Sequence, residues 1–287
     1  MTIDELTEED VELLKFLKKK ELGKADIQSI IKGISKDRPD EKREYKLPWN
    51  AKRLKFVEFT DTHMGHENYR PDVLEHIVKY SKRQGCEFAV CAGDILEGMS
   101  GRDGHIYELH PKHGLGATAQ MDYGVEQLSQ FDIPIYGITA SNSHDGWFEG
   151  KGNMGLVVGE ELERRIKNFT FLGKDEQDLK CDNGLTIRLL HPGGGSAYAL
   201  TYKLQKHINA IRPGHKPHVL VQGHYHKACQ IFYRNIHAFE GGCLEDQTAF
   251  MRKKHTPAMV GYYIIDVAFD KKKNMVDKLR SEFVPFY

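Results

Sequence analysis

The 287-residue sequence has no excess of either charge, because 41 lysine and arginine residues balance 41 aspartate and glutamate residues. With no net charge to attract a polyanion, any nucleic-acid contact must be local. The chain also lacks the run of about 20 apolar residues that a membrane helix needs. Its first residues, MTIDELTEEDVELL, are acidic where a signal peptide is basic and then apolar. We therefore predict a soluble, cytoplasmic protein without a membrane partner.

Cysteine is scarce and unpaired in the sequence. The five residues, which show no CxxC spacing, are Cys86, Cys91, Cys181, Cys229 and Cys243. Scattered cysteines in odd number are typical of reduced thiols, and structural zinc clusters need closely spaced thiolates. Neither a disulfide framework nor a structural zinc site is expected. Histidine, by contrast, is abundant, with 15 residues.

The first 45 residues differ in pattern from the rest of the chain. Apolar residues at helical spacing predict two short helices, within 11–17 and 27–34. The segment between them could be the turn of a helix-turn-helix, although a small helical cap on the main domain is favoured. The charged segment DRPDEKREYKLPWN that follows is typical of a linker. We divide the chain into a helical extension with its linker, residues 1–45, and a catalytic domain, residues 46–287.

From residue 54 onward, short apolar runs alternate with helical stretches. Runs rich in β-branched and aromatic residues predict strands at 54–59, 88–92, 133–139, 185–190 and 219–221. Between the first two, YRPDVLEHIVKYSKRQG has helical apolar spacing and ends in glycine. This strand–helix–strand order predicts an α/β fold with a partly parallel sheet. Residues 259–287 predict one or two further strands around an Asp-Lys turn.

Each predicted strand is followed by residues that can ligate a metal ion. In strand order these are Asp61 and His63, Asp94, Asn142, His191, and His224 and His226. Because the carboxyl ends of parallel strands line one crevice, we expect these side chains to converge. Alternate residues of a strand point to the same side, so the DxH and HxH segments can each chelate. Oxygen and imidazole donors without thiolate favour Mn, Fe, Zn, Co or Ni over soft metals or calcium.

The segments DTH, GDILEG, SNSHD, the His191 segment and GHYH resemble the five blocks of the calcineurin-like metallophosphoesterases, over about residues 54 to 270. The resemblance implies a four-layer α/β-β/α sandwich with a binuclear metal centre. One ion would take Asp61, His63 and His226, the other Asn142, His191 and His224, and Asp94 would bridge them. It further implies in-line attack on a phosphoester by a hydroxide that bridges the ions. His144 resembles the family's acid histidine, which protonates the leaving group.

The third block departs from the family pattern Gly-Asn-His-Asp/Glu, because Ser143 separates Asn142 from His144. Either the loop bulges by one residue and Asn142 still binds an ion, or Ser143 takes the ligand position. We predict Asn142, since a neutral amide oxygen is the better ligand.

Three further residues are candidates for binding substrate. Arg102 could clamp a phosphate, although a solvated loop charge would look the same, and Glu97 could orient a ligand. Asp145 completes this set. The late basic segment 252–255, RKKH, could contact a nucleic-acid backbone or be a surface turn.

The DxH, GDxxE and GHxH forms are closest to the prokaryotic and viral DNA-repair exonuclease branch, and differ from the GDxVDRG block of Ser/Thr protein phosphatases. The resemblance thus implies a manganese-dependent phosphodiesterase that acts on DNA, with Zn, Fe, Ni, Co or Mg as alternative ions. Two other functions stay open. One is a phosphodiesterase or phosphatase for small molecules such as nucleotides. The other is a non-catalytic scaffold that keeps the fold.

Overall fold

Two six-stranded mixed β-sheets lie at the centre of the protein. The computed structural model describes residues 44–150 and 155–287. The strands are β1 (Glu44–Leu47), β2 (Arg53–Phe59), β3 (Phe88–Cys91), β4 (Ile135–Thr139), β5 (Phe169–Lys174), β6 (Glu176–Cys181), β7 (Thr186–Leu190), β8 (Val219–Gln222), β9 (Ala228–Tyr233), β10 (Ile236–Gly241), β11 (Gly261–Asp270) and β12 (Met275–Pro285). The α-helices are α1 (Pro71–Gln84), α2 (Ala117–Leu128), α3 (His144–Gly150), α4 (Val158–Arg165), α5 (Tyr202–Ala210) and α6 (Ala249–Lys254).

The first sheet has the order β12-β11-β2-β3-β4-β5, and the second has the order β1-β6-β7-β8-β10-β9. Strands β2 to β5 run parallel, as do β7, β8 and β10. The strand ends that carry the predicted ligands therefore belong to both sheets. All five predicted apolar runs are strands whose ends shift by one or two residues, and β11 and β12 confirm the predicted C-terminal pair.

Three apolar cores show how the layers stack. Leu74 and Ile77 of α1 pack against Val57 and Phe59 on the outer face of the first sheet. Side chains of the two sheets, such as Phe56 and Phe239, share a core between them. On the outer face of the second sheet, α5 covers Leu220, Ile236 and Ala238. Helices thus cover both outer faces, and the predicted four-layer α/β-β/α sandwich is confirmed.

The end of the predicted linker is a strand. Residues Glu44–Leu47 form β1, which pairs in parallel with β6 at an edge of the second sheet. Leu47 is buried while Glu44 is exposed. An edge strand exposes polar side chains to water, so the charged composition of β1 resembles that of a linker. The two N-terminal helices and the proposed helix-turn-helix lie outside the described residues, and the domain division remains a prediction.

No helix in the described part of the chain is both long enough and apolar enough to cross a bilayer.

Candidate metal centre

Strand ends from the two sheets meet and bring six of the seven predicted ligands together. Their ligand atoms form two groups, within each of which every atom lies within 4.8 Å of the others. We call Asp61, His63 and His226 the first group and Asp94, His191 and His224 the second group. Five of these six side chains are buried, and His224 is partly exposed.

Five of the six residues have a left-handed backbone, with φ of 50° at Asp61, 50° at His63, 48° at Asp94, 85° at His224 and 52° at His226. Residues with a Cβ atom rarely adopt this conformation, which costs of order 1–3 kcal/mol each. Strained backbone clusters at functional sites, where the surrounding fold enforces it. Here the strain is concentrated on the residues that turn donor atoms inward.

Glycine precedes two of the ligand residues because another side chain occupies the space that a Cβ would need. A Cβ at Gly93, which has φ of 97°, would lie 2.6 Å from Nδ1 of His191. A Cβ at Gly223 would lie 2.4 Å from Oγ1 of Thr60. Both glycines thus permit a close approach of these side chains to the backbone.

In the first group, two imidazole nitrogens face each other without a protein atom between them. Nε2 of His63 lies 3.0 Å from Nε2 of His226, which lies 3.6 Å from Oδ1 of Asp61. Two nitrogen lone pairs at this distance repel unless a proton or a cation lies between them. Burial opposes a charge on His63, but the charge of Glu245 and the hydrogen bond and charge of Glu97 outweigh it and raise the pKa of His63 to about 9. The surroundings therefore favour a positive charge where the three donors meet.

The surroundings of the second group also favour a positive charge between its donor atoms. Nδ1 of His191 lies 2.7 Å from the main-chain oxygen of Ala92, so it carries the ring proton, and Nε2 lies 3.1 Å from Oδ2 of Asp94. Nε2 of His191 and Oδ1 of Asp94 are buried without a hydrogen-bond partner among the described residues. Burial opposes a charge on His191, but Asp94 raises its pKa to about 9. These unsatisfied buried donors fit a divalent cation.

His224 completes the second group in the form that a metal ligand needs. Its Nε2 donates to the main-chain oxygen of Gly194 at 2.7 Å, which leaves Nδ1 with its lone pair. Burial, assisted by the charge on His191, lowers the pKa of His224 to about 4, so the ring is neutral. Its main-chain N–H donates to both carboxylate oxygens of Asp61 at 2.9 Å and thus links the two groups.

Two buried glutamates support the ring orientations. Glu97, predicted to orient a ligand, has Oε2 at 2.8 Å from Nδ1 of His63 and Oε1 at 2.7 Å from Nε2 of His105. Glu245 has Oε1 at 3.0 Å from Nδ1 of His66 and Oε2 at 3.7 Å from Nδ1 of His226. Glu245 was not predicted from the sequence, because β10, the strand that it follows, was not predicted either.

His144 lies directly against this network. Its Nδ1 is 2.8 Å from the main-chain oxygen of Glu97 and 3.1 Å from Oε2 of the same residue. Its ring meets that of His63 edge-on, with 4.2 Å between centroids. Burial opposes a charge, but Glu97 and Asp94 outweigh it and raise the pKa of His144 well above the ordinary value. The predicted acid thus lies next to the first group, in surroundings that favour its protonated form.

Asp145 is 2% exposed, and its carboxylate accepts hydrogen bonds from the main-chain N–H groups of Ile95 and Leu96 at 3.1 and 2.9 Å. It holds the loop that begins at Asp94. A substrate-binding role was predicted for Asp145, but the structure gives its side chain this internal partner.

The irregular third block separates its two candidate ligands. Asn142 is exposed, and its amide nitrogen donates to Oγ of Ser141 at 3.3 Å. Ser143 is partly buried, and its hydroxyl donates to Oδ2 of Asp94 at 2.9 Å. Both residues line the same cleft as the ligand groups. The assignment of Asn142 as a ligand stays a prediction.

The ligand groups open into a cleft of about 980 Å³. Arg102, Glu97 and His144 line it, and a role of Arg102 and Glu97 in substrate binding stays a prediction. Nη2 of Arg102 lies 2.5 Å from Oε2 of Glu108, and its side chain is 44% exposed. Of the basic segment 252–255, Lys254 lines the cleft. The volume is large enough for a ligand of several hundred Å³.

No family model matches the chain. No curated protein matches it either. Among solved structures, the chain is similar to an archaeal phosphodiesterase, with 12% identity, 80% of this chain and 100% of that chain covered, and a TM-score of 0.45. It is also similar to the E. coli phosphoesterase Yfce (15% identity, 79% and 98% covered, TM-score 0.40) and to Vacuolar Protein Sorting 29 of Cryptosporidium parvum (12% identity, 82% and 99% covered, TM-score 0.43).

Proposed function

We propose that the protein is a metal-dependent phosphoester hydrolase whose two ligand groups each bind a divalent cation. One observation carries the proposal: buried nitrogen and oxygen ligand atoms converge in both groups, and in the second group Nε2 of His191 and Oδ1 of Asp94 have no hydrogen-bond partner among the described residues. His63 and His226 face each other, and His191 faces Asp94. In the ion-free protein only a proton can relieve these contacts, and a cation that displaces it meets imidazole and carboxylate donors already in place.

The first ion would be held by Asp61, His63 and His226, and the second by His191, His224 and Asn142. Asp94, whose carboxylate reaches the second group and accepts from Ser143, would be shared between them. Lewis-acid stabilisation of phosphoryl charge and ionisation of a water nucleophile near neutral pH are the chemistry that two bound divalent ions supply.

His144 would donate a proton to the leaving-group oxygen. Its Nδ1 is engaged by Glu97, so Nε2 is the nitrogen left to serve substrate, and the residue lines the cleft. Glu97 fixes His144 and His63 at once, which ties the proton donor to the first group. General acid catalysis of this kind contributes typically 10²–10⁴-fold.

Within this class we propose a phosphodiesterase that cleaves DNA, with Mn²⁺ as the working ion. The mixed nitrogen and oxygen donors suit Mn²⁺. Arg102 and Lys254 line the cleft with positive charge although the chain as a whole is neutral, which agrees with local contact to a polyanion. The resemblance of the five sequence blocks to DNA-repair exonucleases also supports DNA as the substrate. We propose a cytoplasmic location as well.

The test is cleavage of DNA and of bis-p-nitrophenyl phosphate by the full chain loaded with Mn²⁺. We expect both to be hydrolysed. Asp94→Ala should lower kcat by about 10³-fold or more, because it removes several kcal/mol of charge stabilisation. His144→Ala should lower it by roughly 10²–10⁴-fold with the metal content unchanged. Lys253→Ala, an exposed residue that does not line the cleft, is the control.

Other outcomes redirect the proposal. Hydrolysis of bis-p-nitrophenyl phosphate without cleavage of any DNA would indicate a small-molecule phosphodiesterase. A protein that binds two ions per chain yet leaves every phosphoester intact would indicate a scaffold. A chain that binds no transition ion would overturn the metal centre itself.

A further inference from the structure

One aromatic ring in the wall of the cleft is exposed although it is apolar. Phe250, in α6, lines the cleft and retains 48% of its surface exposed. The helix that carries it is anchored, because Thr248 caps it by accepting from the N–H of Met251 at 3.1 Å, and Met251 is 9% exposed. An exposed apolar group on an anchored element inside a concave site is typical of a binding surface.

Two cationic side chains lie over this ring. The guanidinium carbon of Arg102 lies 5.4 Å from the centroid of Phe250, and Nζ of Lys254 lies 5.9 Å from it. Arg102 also pairs with Glu108, whereas Lys254 makes no ion pair with any residue that the structure describes. A flat apolar surface next to two positive charges is complementary to a ligand with a flat base and an adjacent phosphate.

We infer that Phe250, Arg102 and Lys254 form a subsite for the nucleotide next to the scissile phosphate. The base stacks on Phe250 and takes the place of a cation on the ring face, and the phosphate of that nucleotide contacts Lys254 and Arg102. The inference rests on the proposed function, because it takes the ligand groups as the place of cleavage. A base paired in a duplex has its faces covered by its neighbours, so the subsite selects an unpaired base in single-stranded DNA or at a frayed end.

The preference for a base can be measured apart from catalysis. The substrates are a single-stranded oligothymidylate and an oligonucleotide of the same length built from abasic tetrahydrofuran units, both with Mn²⁺-loaded full-length protein. The wild type should cleave the oligothymidylate with the higher kcat/KM. Phe250→Ala should lower kcat/KM on oligothymidylate by roughly 5- to 100-fold, the range found for loss of one stacked base. On the abasic strand the variant should match the wild type.

Phe232→Ala is the matched control, since Phe232 is a 63% exposed phenylalanine that does not line the cleft. Equal losses on the two strands would overturn the subsite, and so would an unchanged preference in Phe250→Ala. Metal content and far-UV circular dichroism of each variant exclude a folding defect as the cause.

Lys254 and Lys253 provide a second matched pair, because both are exposed neighbours on α6 and only Lys254 lines the cleft. Lys254→Ala should weaken binding of either strand and reduce the slope of log affinity against log salt by about one, as expected for one lost phosphate contact. Lys253→Ala should leave the slope unchanged. Equal slopes in the two variants would remove Lys254 from the subsite.

A wild type that cleaves neither strand would contradict the DNA assignment and not the subsite. Thymidine 5′-p-nitrophenyl phosphate and methyl p-nitrophenyl phosphate, which share a leaving group, then decide the matter. A loss in Phe250→Ala confined to the thymidine ester supports a base subsite in a small-molecule phosphodiesterase. A variant that treats both esters as the wild type does would overturn it.

Discussion

The two ligand groups contain similar donors but differ in what lies behind them. In the first group, His63 is backed by the carboxylate of Glu97 at 2.8 Å, and Glu245 lies 3.7 Å from His226. In the second group, main-chain oxygens of Ala92 and Gly194 accept from the imidazoles. The second group also adjoins the third-block loop, whose Asn142 is exposed.

This difference indicates unequal ion affinity. A carboxylate behind an imidazole raises the basicity of the ligand and fixes its orientation, and a neutral carbonyl fixes orientation with less electrostatic gain. We therefore expect the first group to keep its ion longer, and the second group to lose its ion first on treatment with a chelator. In the proposed metal centre, similar donors in one cleft would thus hold a permanent ion and an exchangeable ion.

The largest effect should come from removing the charge behind His63. Glu97→Gln is expected to weaken the tighter of two Mn²⁺ binding phases by 10–100-fold, the usual effect of losing such a partner. Calorimetric titration with Mn²⁺ measures both phases, and Glu87→Gln, at an exposed position, is the control. If only the weaker phase moved, the order of the two groups would be reversed.

A smaller effect is expected at the third block, where the two alternatives make opposite predictions. With Asn142 as the ligand, Asn142→Ala should weaken the second ion by about 10-fold, and Ser143→Ala, which removes a hydrogen bond to Asp94, should weaken it less. The same titration compares the two variants. A larger loss in Ser143→Ala would transfer the ligand position to Ser143.

The smallest effect on ion affinity is expected from a substitution of Glu58, which is fully buried between the sheets. Burial, reinforced by Asp61, raises the pKa of Glu58 well above its ordinary value. Because the pKa of Glu58 is higher in the folded state, the contribution of Glu58 to stability is fully present below about pH 4.5, its pKa in the unfolded chain. This contribution is lost as the pH rises toward the pKa of the folded state. The free energy of unfolding should decline by up to ~1.4 kcal/mol per pH unit over that window.

Urea denaturation across pH measures this decline. Glu58→Gln should flatten it while the order of the two ion affinities is retained. The variant therefore separates the pH response of the fold from that of the metal centre. A wild-type profile that matches the variant at every pH would show that Glu58 does not titrate in this range.

The sequence predicted the strands that consist of continuous apolar runs. Strands β2, β3, β4, β7 and β8 are buried in their sheets, and their ends point to the ligands. Strands β5, β6, β9 and β10 were not predicted. In β6 and β9, EQDLKC and ACQIFY, polar and apolar residues are mixed, and β9 is also an edge strand with Phe232 exposed. A strand with polar residues on one face resembles a loop when it is examined without its neighbours.

Some contacts in the candidate site could not be predicted from the sequence either. His66 and Glu245 are 179 positions apart, yet their side chains lie 3.0 Å from each other, and only the folded chain joins them. The same holds for the insertion in the third block. Its spacing shows that Asn142 and Ser143 compete, but the hydrogen bond from Ser143 to Asp94 depends on the path of the loop after β4.

In the proposed metal centre, the left-handed backbone at five predicted ligand positions would oppose ion binding to thermal stability. Glycine adopts this conformation without strain, so a glycine at Asp61, His63 or Asp94 would relax the ion-free chain while it removes a donor. Variants selected for heat tolerance alone would then accumulate glycine at these positions and lose the centre as they became harder to unfold. Retention of side chains there is thus a signature of selection for activity that a survey of natural variants can read directly.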